Sequence, residues 1–206
     1  MIQLQRLLQS VVIPCVSFAL ISVHDAARAE FPPPPAAPKG YSWRTFSQIH
    51  AKFLVPDGWF VKEVSQGGTR AVFITKESID REGAFKTGLS VNVLYDPKPS
   101  LFAQRTIDGL KTQSQRFWGI GDIALGALKG RAGFFKFPAA GYDALINETL
   151  IFGNDTTGTC YLIVFESPAA EWAPAPMVGG MLTLDVGYAH SVGRVLLTNL
   201  VLDESF

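Results

Sequence analysis

The chain reads as an α+β domain: an antiparallel β-sheet flanked by helices on both faces, an α/β/α sandwich. Three observations carry that expectation. Several segments of strand length alternate or run apolar, one stretch near residue 100 repeats with helical period, and the segment 159–166 is apolar on both sides. In that segment Cys160, Leu162 and Val164 point one way and Tyr161, Ile163 and Phe165 the other. A strand of this kind must be covered on both faces, which argues for layers around a central sheet and against a two-sheet β-sandwich.

The first elements belong to targeting rather than to the fold. Arg6 supplies a positive start, residues 7–23 are almost unbroken apolar or small, and Ala27-Arg28-Ala29 offers the small side chains a signal peptidase reads. Residues 1–29 are therefore expected to be a cleaved signal peptide. A retained anchor helix is the competing reading, but the apolar run is near the lower limit for a membrane span and Pro14 interrupts it. No stable span is expected after cleavage. Residues 30–40 follow as a Pro-rich linker, with Pro32, Pro33, Pro34, Pro35 and Pro38 favouring an extended polyproline spacer.

The domain is expected over 41–206. Segments 41–46 and 50–55 read as short strands, the second closed by the turn Pro56-Asp57-Gly58. Another strand is expected at 70–75 and another at 88–95. The latter places Leu89, Val91, Val93 and Tyr95 on one face and Ser90 and Asn92 on the other, the alternation of a half-buried strand. Pro99 and Ser100 open a helix in which Ala103, Ile107, Leu110, Ser114 and Phe117 recur at helical spacing to about Trp118. Strands follow at 130–138, 142–152 and 159–166, the last two joined by Gly153-Asn154-Asp155-Thr156-Thr157-Gly158, a strong hairpin turn. Ser167-Pro168 reads as a helix cap, Pro174, Pro176, Gly179 and Gly180 forbid one smooth helix, and 192–202 fits helix or strand.

In this frame Phe53-Leu54-Val55-Pro56-Asp57-Gly58-Trp59 resembles the aromatic–apolar–Pro–x–Gly–Trp segment near the start of PsbP-like domains. The resemblance continues through Ala71-Val72-Phe73-Ile74-Thr75, Leu89-Ser90-Val91-Asn92-Val93 and Phe165-Glu166-Ser167-Pro168 followed by Trp172. It implies an antiparallel sheet flanked by helices, a fold that the family shares with a Ran-binding nuclear factor. It also implies an accessory role, since named members are extrinsic subunits on the lumenal side of photosystem II that help retain calcium and chloride. The proline-rich arm departs from the family's usual start. None of the family's ion-contacting positions is matched, so the resemblance bears on fold more than on photosystem binding.

Composition narrows the function classes. Among 206 residues the 18 basic and 18 acidic side chains balance, and no basic stripe appears, so nucleic acid is not an expected partner. Cleavage would leave a single thiol, Cys160, inside an apolar run, where it reads as a small core hydrophobe rather than a nucleophile. Beyond residue 29 only His50 and His190 remain, with no His-x-x-x-His pair and no Gly-x-Ser-x-Gly elbow, so neither a metal site, a cofactor nor an α/β-hydrolase is expected. Gly119-Ile120-Gly121 lacks the rest of a dinucleotide loop and reads as a flexible loop.

Two features stand apart. Glu148 shares a strand face with Tyr142, Ala144, Ile146, Leu150 and Phe152, where a charge needs a partner or shifts its pKa. A bulge or an exposed strand end is the ordinary account, and a functional carboxylate in a shallow pocket is the alternative. The four tryptophans, Trp43, Trp59, Trp118 and Trp172, serve either the core or an aromatic docking patch. Trp43, Trp59, Trp172 and Glu148 are the candidate residues for a partner surface or pocket. The leading expectation is an exported, non-catalytic accessory protein, in the periplasm or a thylakoid lumen, docking on a protein partner or membrane-associated complex. A small-molecule carrier with a sheet–helix cleft is second, and an enzyme third, because acid, base and nucleophile do not assemble from the residues available.

Overall fold

The computed structural model describes residues 33–66, 68–79, 85–139, 142–172, 177–178, 181–182 and 188–206. The expected signal peptide, the first residues of the linker and the Gly179-Gly180 break lie outside them.

Seven strands form the main sheet: β3 (Phe60–Gln66), β4 (Thr69–Thr75), β5 (Gly88–Tyr95), β6 (Arg116–Leu125), β7 (Leu128–Ala139), β8 (Tyr142–Gly153) and β9 (Thr159–Pro168). Their spatial order is β3-β4-β5-β9-β8-β7-β6, with every neighbouring pair antiparallel. The strand that is apolar on both sides, β9, is thus the middle one, and Cys160 through Ser167 are all buried. After β5 the chain leaves the sheet through helix α1 (Pro99–Gln113), lands on the far edge as β6, and winds back by hairpins until β9 pairs with β5.

The two faces of this sheet are covered differently. On one, α1 lays Ala103, Ile107 and Leu110 against Phe135, Phe137, Ile151, Leu162 and Val164. Gly153 is needed where the helix begins, since a Cβ there would sit 2.4 Å from Pro99 Cβ. The other face carries a small three-stranded sheet, β1 (Tyr41–Phe46), β2 (Ala51–Pro56) and β12 (Leu200–Leu202), in the order β1-β2-β12. Phe53, Leu54, Leu202 and the α2 (Tyr188–Thr198) residues Val192, Leu196 and Leu197 join Val72, Leu89, Val91, Tyr161, Ile163 and Phe165 in one core. The cover on this side is largely β, in place of the helical layer expected there. A two-residue ribbon, β10 (Met177–Val178) with β11 (Met181–Leu182), completes the described elements. Among the described residues no helix is long and apolar enough to cross a membrane.

Several expectations are corrected. The helix stops at Gln113, and Trp118 lies in β6, which was not expected at all. Phe117 happens to continue the apolar spacing beyond the true helix end. Gly119-Ile120-Gly121 is not a loop but part of β6, at a register shift between Trp118 and Gly121. Strand β3 was also missed: as an edge strand it is only partly buried and shows little alternation. Ser90 and Asn92, expected on a solvent face, are buried with the rest of β5 up to Val93. Pro168 ends β9 and is followed by a three-residue 3-10 turn (Ala169–Glu171), not by a helix. The ambiguous tail is both things, helix to Thr198 and strand from Leu200.

Candidate functional site

Residues paired across strands point to the same face of a sheet, so the register fixes who surrounds Glu148. It lies opposite Phe134 of β7 on one side and Phe165 of β9 on the other. Extending the row gives Trp118 beyond Phe134, and Leu89, Ile74 and Val61 beyond Phe165. One carboxylate stands in a row of seven positions otherwise aromatic or aliphatic. It is neither at a strand end nor in a bulge, because the irregularity of this pair of strands falls at Phe137/Ala139. The ordinary account of Glu148 is therefore wrong, and its burial is a feature of the sheet.

Aromatic side chains flank it on this face. Trp118 and Phe134 stack with centroids 6.1 Å apart and planes 12° from parallel. Trp172 meets Phe134 edge-on at 6.1 Å and Phe165 at 6.5 Å. The backbones of β7 and β9 lie about 10 Å apart across β8, so an indole touching both phenylalanines sits over the Glu148 strand. Its N–H donates to the Ser167 hydroxyl, which holds the ring in place. Among the described residues the Glu148 carboxylate makes no hydrogen bond or ion pair. Burial alone pushes its carboxyl up to about 7. It is only half-buried, so an edge of the site remains open to solvent.

The charged groups on this side of β6 and β7 are Arg116 and Lys136, which lie opposite each other one step along the strands. Arg116 places its guanidinium carbon 5.8 Å from the centre of the Trp118 ring. Lys136 makes no ion pair with Glu148. Glu171, next to Trp172, turns away to Lys76 and the Thr87 hydroxyl.

Of the expected site residues, the structure brings Glu148 and Trp172 together. Trp43 and Trp59 do not join them. Both are half-buried against the core, and Trp43 donates its indole N–H to the Pro35 carbonyl at 2.7 Å, tying part of the linker to β1. His50 is tied down as well: it stacks on Phe206 with centroids 3.8 Å apart, and its Nδ1 lies 3.3 Å from Asp203 Oδ2. Cys160 is buried as expected, and burial pushes its thiol up to about 12. The side chain of His190 lies outside the described residues.

A second buried carboxylate escaped the sequence reading. Glu166 lies on the opposite face of β9 from Phe165, in register with Asn147 of β8. Burial raises its pKa, and the Asn147 side chain lies beside it in register. Around it Ser90, Asn92, Asn147 and Thr149 are buried too, and Asn147 Oδ1 and Thr149 Oγ1 have no hydrogen-bond partner in this structure. Ser90 and Asn92 at alternate positions were the available signal, but they read as a wet face until the sheet order is known. Among the described residues no three His, Cys, Asp or Glu side chains converge as metal ligands.

No protein-family model matches the sequence, and no curated protein is similar to it. Among solved structures, the Saccharomyces cerevisiae Ran-binding protein Mog1p is similar over 80% of this chain and 96% of its own, with 12% identity and a TM-score of 0.51. A Mog1 point mutant gives 13% identity and a TM-score of 0.49 over 79% and 95% of the two chains. The cyanobacterial PsbP (CyanoP) of Synechocystis gives 12% identity and 0.47 over 82% and 96%. At such identity the likeness is one of fold. Among the described residues the mostly antiparallel architecture with two helices is the Mog1p fold, as the PsbP-like resemblance implied.

Proposed function

Starting from a fold held in common with a Ran-binding protein, we propose that this chain is an exported, non-catalytic accessory protein that docks on a protein partner or a membrane-associated complex. Residues 1–29 serve as its signal peptide, 30–40 as a spacer, and 41–206 as the docking domain, with a helix on each face of the main sheet. The compartment is the periplasm or, in a photosynthetic source, the thylakoid lumen. One observation carries the reading: Trp118, Phe134 and Trp172 are half-buried around an ion-pair-free carboxylate. Aromatic anchors of this kind supply most of the energy of protein interfaces. The absence of turnover is part of the same reading. It is supported by the placing of the two buried carboxylates on opposite faces of the sheet, where they cannot act on one substrate, and by a thiol too buried and too weakly acidic to attack. The test is capture of the partner by crosslinking in the native envelope, expected to recover one specific protein; recovery of nothing above background defeats the proposal.

The polar cluster of Ser90, Asn92, Asn147, Thr149 and Glu166 favours a second reading, a carrier for a small polar molecule on the α1 side. Unpaired buried polar atoms are costly unless something satisfies them. A thermal-shift screen in which no ligand class raises the melting temperature would dispose of it.

A further inference from the structure

Glu148 presents a physical problem that the domain leaves unsolved. A carboxylate taken out of water costs free energy unless a cation or hydrogen-bond donors replace the lost solvation. Among the described residues none does so. The segment 173–187 that follows Trp172 contains no Lys, Arg or His at all, and its one charged residue, Asp185, has the wrong sign. Arg116 is committed to the outer aromatic ring, and Lys136 lies a diagonal step away without closing on the carboxylate. The surroundings meanwhile suit a cation. Ring faces carry negative potential, and Trp118, Phe134 and Trp172 lie together on the Glu148 side of the sheet.

We propose that Glu148, on the half-buried sheet face it shares with Trp118 and Phe134 and beside Trp172, receives one basic side chain, lysine or arginine, from the protein partner. This rests on the docking reading above and names its anchor. Insertion completes, beside the aromatic rings, the ion pair that the sheet leaves open. Charge pairing in a partly desolvated site sets specificity, because a neutral side chain would leave the carboxylate unpaired. The groups that could compete are Lys136 on β7 and Arg116 on β6, the charged side chains on this side of those strands, whereas β9 presents only Ile163, Phe165 and Ser167. Burial of Glu148 adds a further property: the anion is the binding form, so affinity rises as pH increases through neutrality.

The test is an NMR titration of the 15N-labelled protein with three capped amino acids: N-acetyl-lysine methylamide, its arginine counterpart and the neutral norleucine counterpart. The two cations are expected to shift the amides of Glu148 and Phe134 and the indole N–H of Trp172, with a Kd of about 1–10 mM for so small a probe. Norleucine is expected to leave them in place. Glu148→Gln, which keeps the shape, should weaken the cations by about tenfold or more, and Trp118→Leu by about threefold. Affinity in the parent should rise on the order of tenfold from about pH 5.5 to 8 and stay flat in Glu148→Gln. Equal shifts with norleucine, no shifts at the pocket, or undiminished binding by Glu148→Gln would each overturn the proposal. Crosslinking separates its failure from that of the docking reading: a partner held equally by the parent and by Glu148→Gln leaves docking standing and removes this anchor.

Discussion

Two carboxylates, Glu148 and Glu166, sit on adjacent strands of one sheet and meet opposite fates. Glu166 faces the α1 side, is buried, and lies in register with Asn147 within a neighbourhood of small polar groups. Glu148 faces the side of the small sheet, keeps some exposure, and has rings around it and no donor. Burial raises the pKa of both. The difference lies in what each environment solves by itself. A carboxylate set among polar side chains is surrounded by groups of its own fold, whereas one desolvated among rings keeps its binding capacity for something outside. Where a buried charge ends up therefore says less about its role than which polar groups the fold sets around it.

The largest effect expected on this contrast comes from Phe165, the ring beside Glu148 on the strand that also carries Glu166. It is wholly buried, touches Trp172, and lies so close beneath α2 that a Cβ on Gly193 would come within 2.7 Å of it. Phe165→Ala should cost about 3–5 kcal/mol in urea unfolding. It should also loosen Trp172, admit water, and let the Glu148 carboxyl fall back toward its ordinary 4.5 while Glu166 stays raised. Both are readable by carboxyl 13C NMR. If Glu148 kept titrating near 7 in this variant, its desolvation would not come from the Phe165–Trp172 lid.

A smaller effect is expected from pH. Folding raises the Glu148 pKa from 4.5 to about 7, so ionisation opposes the folded state. The stability it contributes is complete below about pH 4.5, is lost as pH rises through 7, and is gone above that. With allowance for partial exposure, the loss is about 2 kcal/mol. Glu148→Gln should therefore match the parent in stability near pH 4.5 and exceed it by about that amount near pH 8. Denaturant melts at the two values check this. The raised pKa of Glu166 acts in the same direction in the parent and in the variant.

Much of this is legible in the sequence alone. The double apolar phase of 159–166 placed β9 at the middle of the sheet because burial on both faces has few other solutions. Glu148 stood out because a charge in an apolar strand phase is a local anomaly that needs no partner to be seen. The ring around it was not legible. Phe134 and Trp118 reach Glu148 only through the order β9-β8-β7-β6 and its register, and the run 103–117 hid β6 behind a helical period. Glu166 was hidden for the related reason that Ser90 and Asn92 imitate a solvated face. Trp43 and Trp59 misled because tryptophan count carries no information about which rings meet. Single-strand phase survives in a sequence; neighbours across strands do not.

The smallest effect expected is also the most discriminating. Lys136 is the internal cation nearest to Glu148 in register, offset by two residues on β7. Diagonal neighbours on a sheet are separated by roughly 7–8 Å at the backbone, within reach of a long side chain, so the lysine could serve the carboxylate by swinging inward. In the structure it does not, and the pKa of Glu148 is raised by desolvation with no opposing charge. Lys136→Met should then move the Glu148 titration by less than about 0.3 pH unit, against the unit or more that loss of a real ion pair produces. A rise of a full unit would mean that the domain does supply its own counter-ion, and the pocket would have no reason to await a cation from a partner.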